Sequence, residues 1–116
     1  SFAGIAEHFG LYAGAYGLAL ERLLLDPVQV IIVGAGPDAE RLESIANDTF
    51  TVNKTVIRLE PARVVPEALP EAIAETVQSV PAPAEASAWA LVCRGRTCLP
   101  PVSTPEDLRD ALTAGA

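Results

Sequence analysis

Two cysteines stand five positions apart near the end of the 116-residue chain, and their spacing can support thiol chemistry. Between Cys93 and Cys98 lies Gly95-Arg96, whose glycine comes first, as a two-residue type II′ hairpin turn requires. In such a hairpin the two cysteines form a non-hydrogen-bonded pair with Cα atoms about 4.5 Å apart, within reach of a disulfide. Arg94 and Arg96 favour the thiolate form. The pair is either a reversible redox pair or two reduced thiols of a cytoplasmic protein, and the second interpretation is favoured.

A glycine-rich turn offers a second possible site, for a dinucleotide. Gly34-x-Gly36-x-x-Ala39 follows an apolar segment and opens a helical pattern, as the G-x-G-x-x-G/A fingerprint does. Glu60 ends the next predicted strand, where an acidic residue could bind a ribose. However, Glu60 lies 26 positions after Gly34, beyond the usual interval of about 20. Pro37 also removes an N–H that a pyrophosphate would need. Gly34, Gly36 and Glu60 remain candidates only, and no bound cofactor is expected.

Other catalytic patterns are missing from the sequence. The single histidine, His8, lies in an apolar segment far from both cysteines, so no metal site is predicted, because a structural zinc site needs four ligands. No G-x-S-x-G nucleophile motif occurs. Acidic pairs such as Glu40/Glu43 fall where solvated helix faces are expected. No catalytic residue is predicted.

The apolar pattern predicts the elements that would position these residues. Val28–Gly34 is a nearly continuous β-branched run, typical of a strand covered on both faces. Helices are predicted over 37–47, 70–79 and from the Thr104-Pro105 start signal, and strands over 54–59, over 88–93 and from Cys98. The sequence therefore predicts an α/β fold, an N-terminal helix followed by β-α-β-α-β-β-α. We expect a four-stranded, mostly parallel sheet with a C-terminal hairpin and flanking helices, which is a thioredoxin-like element order.

The first 25 residues indicate one helix, over 2–25, that is apolar on most of its circumference. Gly10, Gly14 and Gly17 would share one face, which lets another backbone come close. A helix of this kind needs partners on more than one side. We therefore expect 1–26 to belong to a preceding helical domain and 27–116 to form a C-terminal α/β domain, with helices before Ser1 covering the glycine face.

Composition and charge limit the classes of partner. The net charge is −7 and the pI about 4.5, which disfavours nucleic acid and anionic membranes, because both attract basic surfaces. The longest uncharged apolar stretch near the start spans 9–20 and is too short to cross a bilayer. No signal-peptide pattern is visible. A cytoplasmic protein without nucleic-acid or membrane partners is expected.

Several short motifs together resemble a known family. They are Ala90-Leu91-Val92-Cys93, Cys98-x-x-Pro101-Val102, Pro105-x-x-Leu108, the segment 19–34 and the F-x-x-N-K run from Phe50 to Lys54. They resemble the C-terminal part of the thioredoxin-domain-containing family related to spermatogenesis-associated protein 20, also known as DUF255. The resemblance implies a larger protein, with an N-terminal thioredoxin-like domain and an (α/α)₆ barrel like those of N-acylglucosamine epimerases and six-hairpin glycosidases.

The resemblance also sets the expected function. The chain would be a non-catalytic accessory domain that packs on the barrel of the same protein, whose activity would concern carbohydrates or thiol redox chemistry. No catalytic residue carries over, and only Cys93 and Cys98 match family positions with possible chemistry. The alternative is a small nucleotide-binding or thiol redox domain that uses Gly34–Ala39 or the cysteine pair.

Overall fold

A computed structural model of the chain describes residues 10–61 and 66–114. The described residues form four α-helices, one short 3₁₀ helix and four strands. In chain order these are α1 (Leu11–Leu24), β1 (Val28–Gly34), α2 (Gly36–Asp48), β2 (Lys54–Leu59), the 3₁₀ helix (Pro66–Ala68), α3 (Glu71–Ser79), β3 (Ala88–Arg94), β4 (Thr97–Cys98) and α4 (Pro105–Thr113). The 3₁₀ helix, which lies between β2 and α3, was not predicted, so the predicted order is met in part.

The four strands form one mixed sheet in the order β2-β1-β3-β4. β1 runs parallel to β2, as predicted for a β-α-β unit. β3 runs antiparallel to β1, and β4 runs antiparallel to β3. The expectation of a mostly parallel sheet is therefore wrong. The apolar run of β3 did not show this, because a strand buried on both faces has the same pattern in either direction.

Helices α2 and α4 cover one face of the sheet. Alternate side chains of β1, such as Val30 and Ile32, point to this face and are fully buried. The helices contribute Ala39, Leu42, Ala46, Leu108 and Leu112. This layer forms the larger part of the core and fixes the ends of β1 relative to both helices.

Helix α3 covers the opposite face, where Ile31 and Trp89 lie. Ile73 and Val77 of α3 pack there. Ala72, although apolar, is exposed. Neighbouring helical residues point about 100° apart, so the stripe that Ile73 and Val77 define turns Ala72 towards solvent.

The start of α4 confirms its sequence signal. The Asp107 N–H donates a hydrogen bond of 3.2 Å to Thr104 Oγ1, and Pro105 occupies the first turn. The hydroxyl satisfies one of the backbone N–H groups that a helix start leaves unpaired.

Helix α1 differs from the predicted helix over 2–25. Gly10 precedes it with φ 51° and ψ −109°, outside the helical region, so a single continuous helix is wrong at this position. Glycine adopts this conformation readily because it lacks a Cβ. Residues 1–9, with His8, lie outside the described residues. No helix within the described ranges is long and apolar enough to cross a membrane.

Candidate functional site

The hairpin between β3 and β4 brings the predicted cysteine pair together. Cys93 lies opposite Cys98. The Leu99 N–H donates to the Val92 oxygen at 2.9 Å, so the neighbouring residue pair is hydrogen-bonded and the cysteines occupy a non-hydrogen-bonded position. The predicted register is confirmed.

The two cysteines form a disulfide, with an Sγ–Sγ distance of 2.02 Å and a Cα–Cα distance of 3.9 Å. Two reduced thiols were favoured from the sequence, whereas the structure has the oxidised form. The register permits this bond because it places both side chains on the same face of the hairpin. Cys93 is only 6 % exposed and belongs to the apolar cluster beneath α3, whereas Cys98 is exposed.

The turn of this hairpin has the predicted type. Gly95 has φ 57°, whereas Arg96 does not have a positive φ, and a positive φ at the first position alone defines a type II′ turn. The Gly95 N–H donates to the Pro27 oxygen at 3.0 Å. The hairpin tip is therefore fixed against the segment that joins α1 to β1.

The two arginines near the cysteines have different surroundings. The Arg94 guanidinium donates to the Leu112 oxygen at 2.6 Å, at the end of α4. Arg96 is exposed in the turn. Because Arg94 is engaged at the end of α4, the predicted support for a thiolate rests on Arg96.

The dinucleotide candidates Gly34 and Glu60 lie side by side at the ends of β1 and β2, since Val33 pairs with Leu59. Glu60 accepts a hydrogen bond of 3.3 Å from Arg58, which also donates to Glu43 at 2.9 Å. The hydrogen bond to Glu43 raises the pKa of Arg58. The Glu60 carboxylate thus takes part in an ion-pair network at the position where a ribose contact was considered.

A cavity of about 400 Å³ lies near the glycine-rich turn. The cavity is not lined by Gly34, Gly36 or Glu60. Its lining residues are Asp38, Arg41, Ala84, Glu85, Ala86, Ser87, Ala88, Ser103, Thr104, Pro105 and Glu106. Asp38 accepts a hydrogen bond from the Ser87 hydroxyl and lies 3.6 Å from Arg41. The lining contains three carboxylates, of Asp38, Glu85 and Glu106, and one guanidinium, of Arg41. The cavity is therefore unfavourable for phosphate, because like charges repel.

A second cavity, of about 430 Å³, lies at the opposite end of the sheet, beside the end of α1. We call it the junction groove; its lining residues are Leu25, Asp26, Val28, Phe50, Thr51, Val52, Arg94, Leu112 and Thr113. Phe50 is 88 % exposed. This groove was not predicted from the sequence, although two large apolar residues, Phe50 and Val52, in the loop before β2 were a visible signal.

The F-x-x-N-K run has structural roles around this groove. Asn53 has φ 56°, and its side chain donates to the Leu25 oxygen at 3.1 Å. Lys54 Nζ donates to the carbonyl oxygens of Ala46 and Thr49 at the end of α2, where a cation is favourable. Burial lowers the pKa of Lys54. These contacts hold the loop, and with it the groove, in place.

The described residues contain no group of three or more histidine, cysteine or acidic side chains that could hold a metal ion. Comparisons with models of protein families, with curated proteins and with solved structures give no match for this chain. The described residues therefore contain two candidate functional sites. One is the cysteine hairpin, and the other is the apolar surface of α1 and the junction groove.

Proposed function

We propose that this chain is a non-catalytic accessory domain that docks on the helical barrel of a larger protein, in the family related to spermatogenesis-associated protein 20. The observation that carries the proposal is the exposure of three leucines on different sides of α1, Leu18, Leu23 and Leu24, which together we call the leucine surface. These side chains are 63 %, 81 % and 77 % exposed. Apolar side chains exposed on several sides of a helix indicate that neighbouring helices cover it on more than one side.

The α/β core is complete without α1. All buried apolar residues of the described ranges lie between Val28 and Leu112, and none of the described side chains of α1 is buried. Burying each leucine of the surface would contribute roughly 1.5–3 kcal/mol. A neighbouring helical domain would supply this burial, which supports the boundary proposed at residue 26.

The junction groove extends the docking surface. Leu25 directly follows the leucine surface and lines the groove together with Phe50 and Val52. Through the Asn53 side chain, which donates to the Leu25 oxygen, the end of α1 is tied to the α/β domain. A helical domain packed around α1 would therefore also meet the groove.

A thioredoxin-like core is part of the proposal. It is supported by the sheet order β2-β1-β3-β4 and by the placement of α2 and α4 on one face and α3 on the other. In thioredoxin-like redox domains a C-x-x-C motif opens a helix, whereas the turn Gly34–Asp38 contains no cysteine. The same proposal places the protein in the cytoplasm, without nucleic-acid or membrane partners.

The experiment compares the chain with a variant that carries Leu18→Ser, Leu23→Ser and Leu24→Ser. We expect the unmodified chain to self-associate through its uncovered leucine surface and the variant to sediment as a monomer, with thermal unfolding of the α/β core unchanged. Leu99→Ser, an exposed leucine on the hairpin segment, is the matched control and should still self-associate.

Two outcomes would contradict docking through α1. One is an unmodified chain that stays monomeric even at high protein concentration. The other is loss of core stability in the triple variant, which would place the leucines in the fold of this domain. The coding sequence upstream of Ser1 gives an independent test, since it should encode an (α/α)₆ barrel.

A further inference from the structure

The disulfide of the hairpin is asymmetric. Cys93 is buried in the apolar cluster that includes Leu91 and Trp89, whereas Cys98 lies on the two-residue edge strand β4 and is exposed. Exchange of a disulfide requires a thiolate to reach one of its sulfur atoms, and access decides which sulfur is attacked. The geometry directs an incoming thiolate to Cys98.

The chain is anchored again to β3 beyond the hairpin. Beyond β4, Ala90 and Val102 exchange two backbone hydrogen bonds of 2.7 and 2.9 Å. Leu99 pairs with Val92 and Val102 pairs with Ala90. Two residues, Pro100 and Pro101, therefore lie opposite the single residue Leu91, which is the arrangement of a β-bulge. The bridge at Val102 holds the segment before α4 independently of the disulfide.

We propose that Cys93–Cys98 is a thiol–disulfide exchange site that reacts with a dithiol and is entered through Cys98. A thiolate of the dithiol bonds to Cys98 Sγ, the Cys93–Cys98 bond breaks, and its electron pair leaves on Cys93 Sγ, which takes up a proton. The second thiol of the dithiol loses its proton and attacks the first sulfur of the dithiol, which is bonded to Cys98 Sγ in the mixed disulfide. Cys98 Sγ then leaves with the electron pair and is protonated. The hairpin gains two electrons and two protons, and the dithiol becomes a disulfide.

Exposed Arg96 lies two residues before Cys98. Its positive charge favours an approaching thiolate, because thiolates are stabilised beside guanidinium groups. The structural effect of exchange would be confined to the hairpin tip. This tip contacts the α1–β1 segment through the Gly95–Pro27 hydrogen bond.

The first test uses reduced glutathione, a monothiol that stops at the mixed disulfide. The folded, oxidised chain is treated, its free thiols are blocked with N-ethylmaleimide, and it is digested with trypsin, which cleaves after Arg94 and Arg96 and so places the two cysteines on different peptides. We expect glutathione on the peptide with Cys98, in about ten-fold excess over Cys93. Equal labelling, or labelling mainly at Cys93, would overturn entry through Cys98.

The second test titrates the native chain with dithiothreitol and counts thiols by alkylation and mass. Both thiols should appear together, and hydrogen exchange should quicken at Thr97 and Leu99 but not at Val30–Val33. Thiols that appear only after denaturant is added would overturn the proposal, as would loss of protection in β1. Both tests use the unmodified chain and depend on no variant that must fold.

Discussion

Gly34 packs directly against Ala88 where β1 and β3 pair at their ends. A Cβ on Gly34 would lie 2.7 Å from the Ala88 Cβ and 2.8 Å from the Ser87 oxygen. Gly34 also has φ 139°, a conformation that side chains rarely adopt. The glycine that suggested a nucleotide fingerprint is therefore required by the close approach of two strands.

Gly34→Ala should lower the free energy of unfolding by about 2–5 kcal/mol, because steric overlap adds to backbone strain. Gly36→Ala is the matched control, since Gly36 also has a positive φ, of 78°, but no atom lies within 4 Å of its added Cβ. Its cost should be smaller, about 1–3 kcal/mol from strain alone. Chemical denaturation of both variants checks the difference, and equal losses would contradict the packing argument.

The same turn should not bind a dinucleotide. Acidic side chains line the neighbouring cavity, and Glu60 is engaged by Arg58. Isothermal titration with NAD or FAD should show no binding. Micromolar affinity that disappears in Gly36→Val would show instead that the fingerprint is functional.

Thr104 caps α4 through a single hydrogen bond from the Asp107 N–H. Thr104→Ala should cost about 0.5–2 kcal/mol of stability, because that N–H loses its partner. Thr113→Ala, near the other end of α4, removes a hydroxyl that bonds only backbone oxygens within the helix, and should change stability by less than about 0.5 kcal/mol. Thermal unfolding compares the two, and the cap interpretation fails if their effects are alike.

Lys54, the only lysine of the chain, should titrate below its ordinary pKa of 10.5, because burial disfavours its charge more than Asp48 favours it. The unfolded chain then binds the proton more strongly than the folded chain between the two pKa values. The contribution of Lys54 to the free energy of unfolding therefore increases as the pH rises from its pKa in the folded chain towards 10.5. NMR titration of the Lys54 Cε signal measures the pKa, and Lys54→Met should remove this pH dependence of stability. A value at or above 10.5 would show that the carbonyl contacts outweigh burial.

The local patterns of the sequence predicted much of the fold. The apolar run of β1, the Thr104-Pro105 start signal and the Gly95-Arg96 turn each depend on neighbouring residues, and the structure has each of them. The direction of β3 was not predictable, because it depends on how the chain returns after α3 rather than on the residues of the strand.

The candidate site was predictable to a smaller extent. The pairing of Cys93 with Cys98 was predictable from the turn sequence. The oxidised state was not, because the spacing of two cysteines indicates only that their sulfur atoms can come within bonding distance. The junction groove is lined by Leu25, Phe50 and Leu112, which come from distant parts of the chain. A local sequence pattern cannot predict that such residues lie together.

Hydrogen exchange of α1 in a dilute, monomeric sample tests the proposed docking role most directly. If a partner domain normally covers the leucine surface, α1 should exchange much faster than Val30–Val33, whose side chains are buried at the centre of the sheet. Protection of residues 13–24 as deep as that of Val30–Val33 would contradict the proposal, because the helix would then be held by this domain alone.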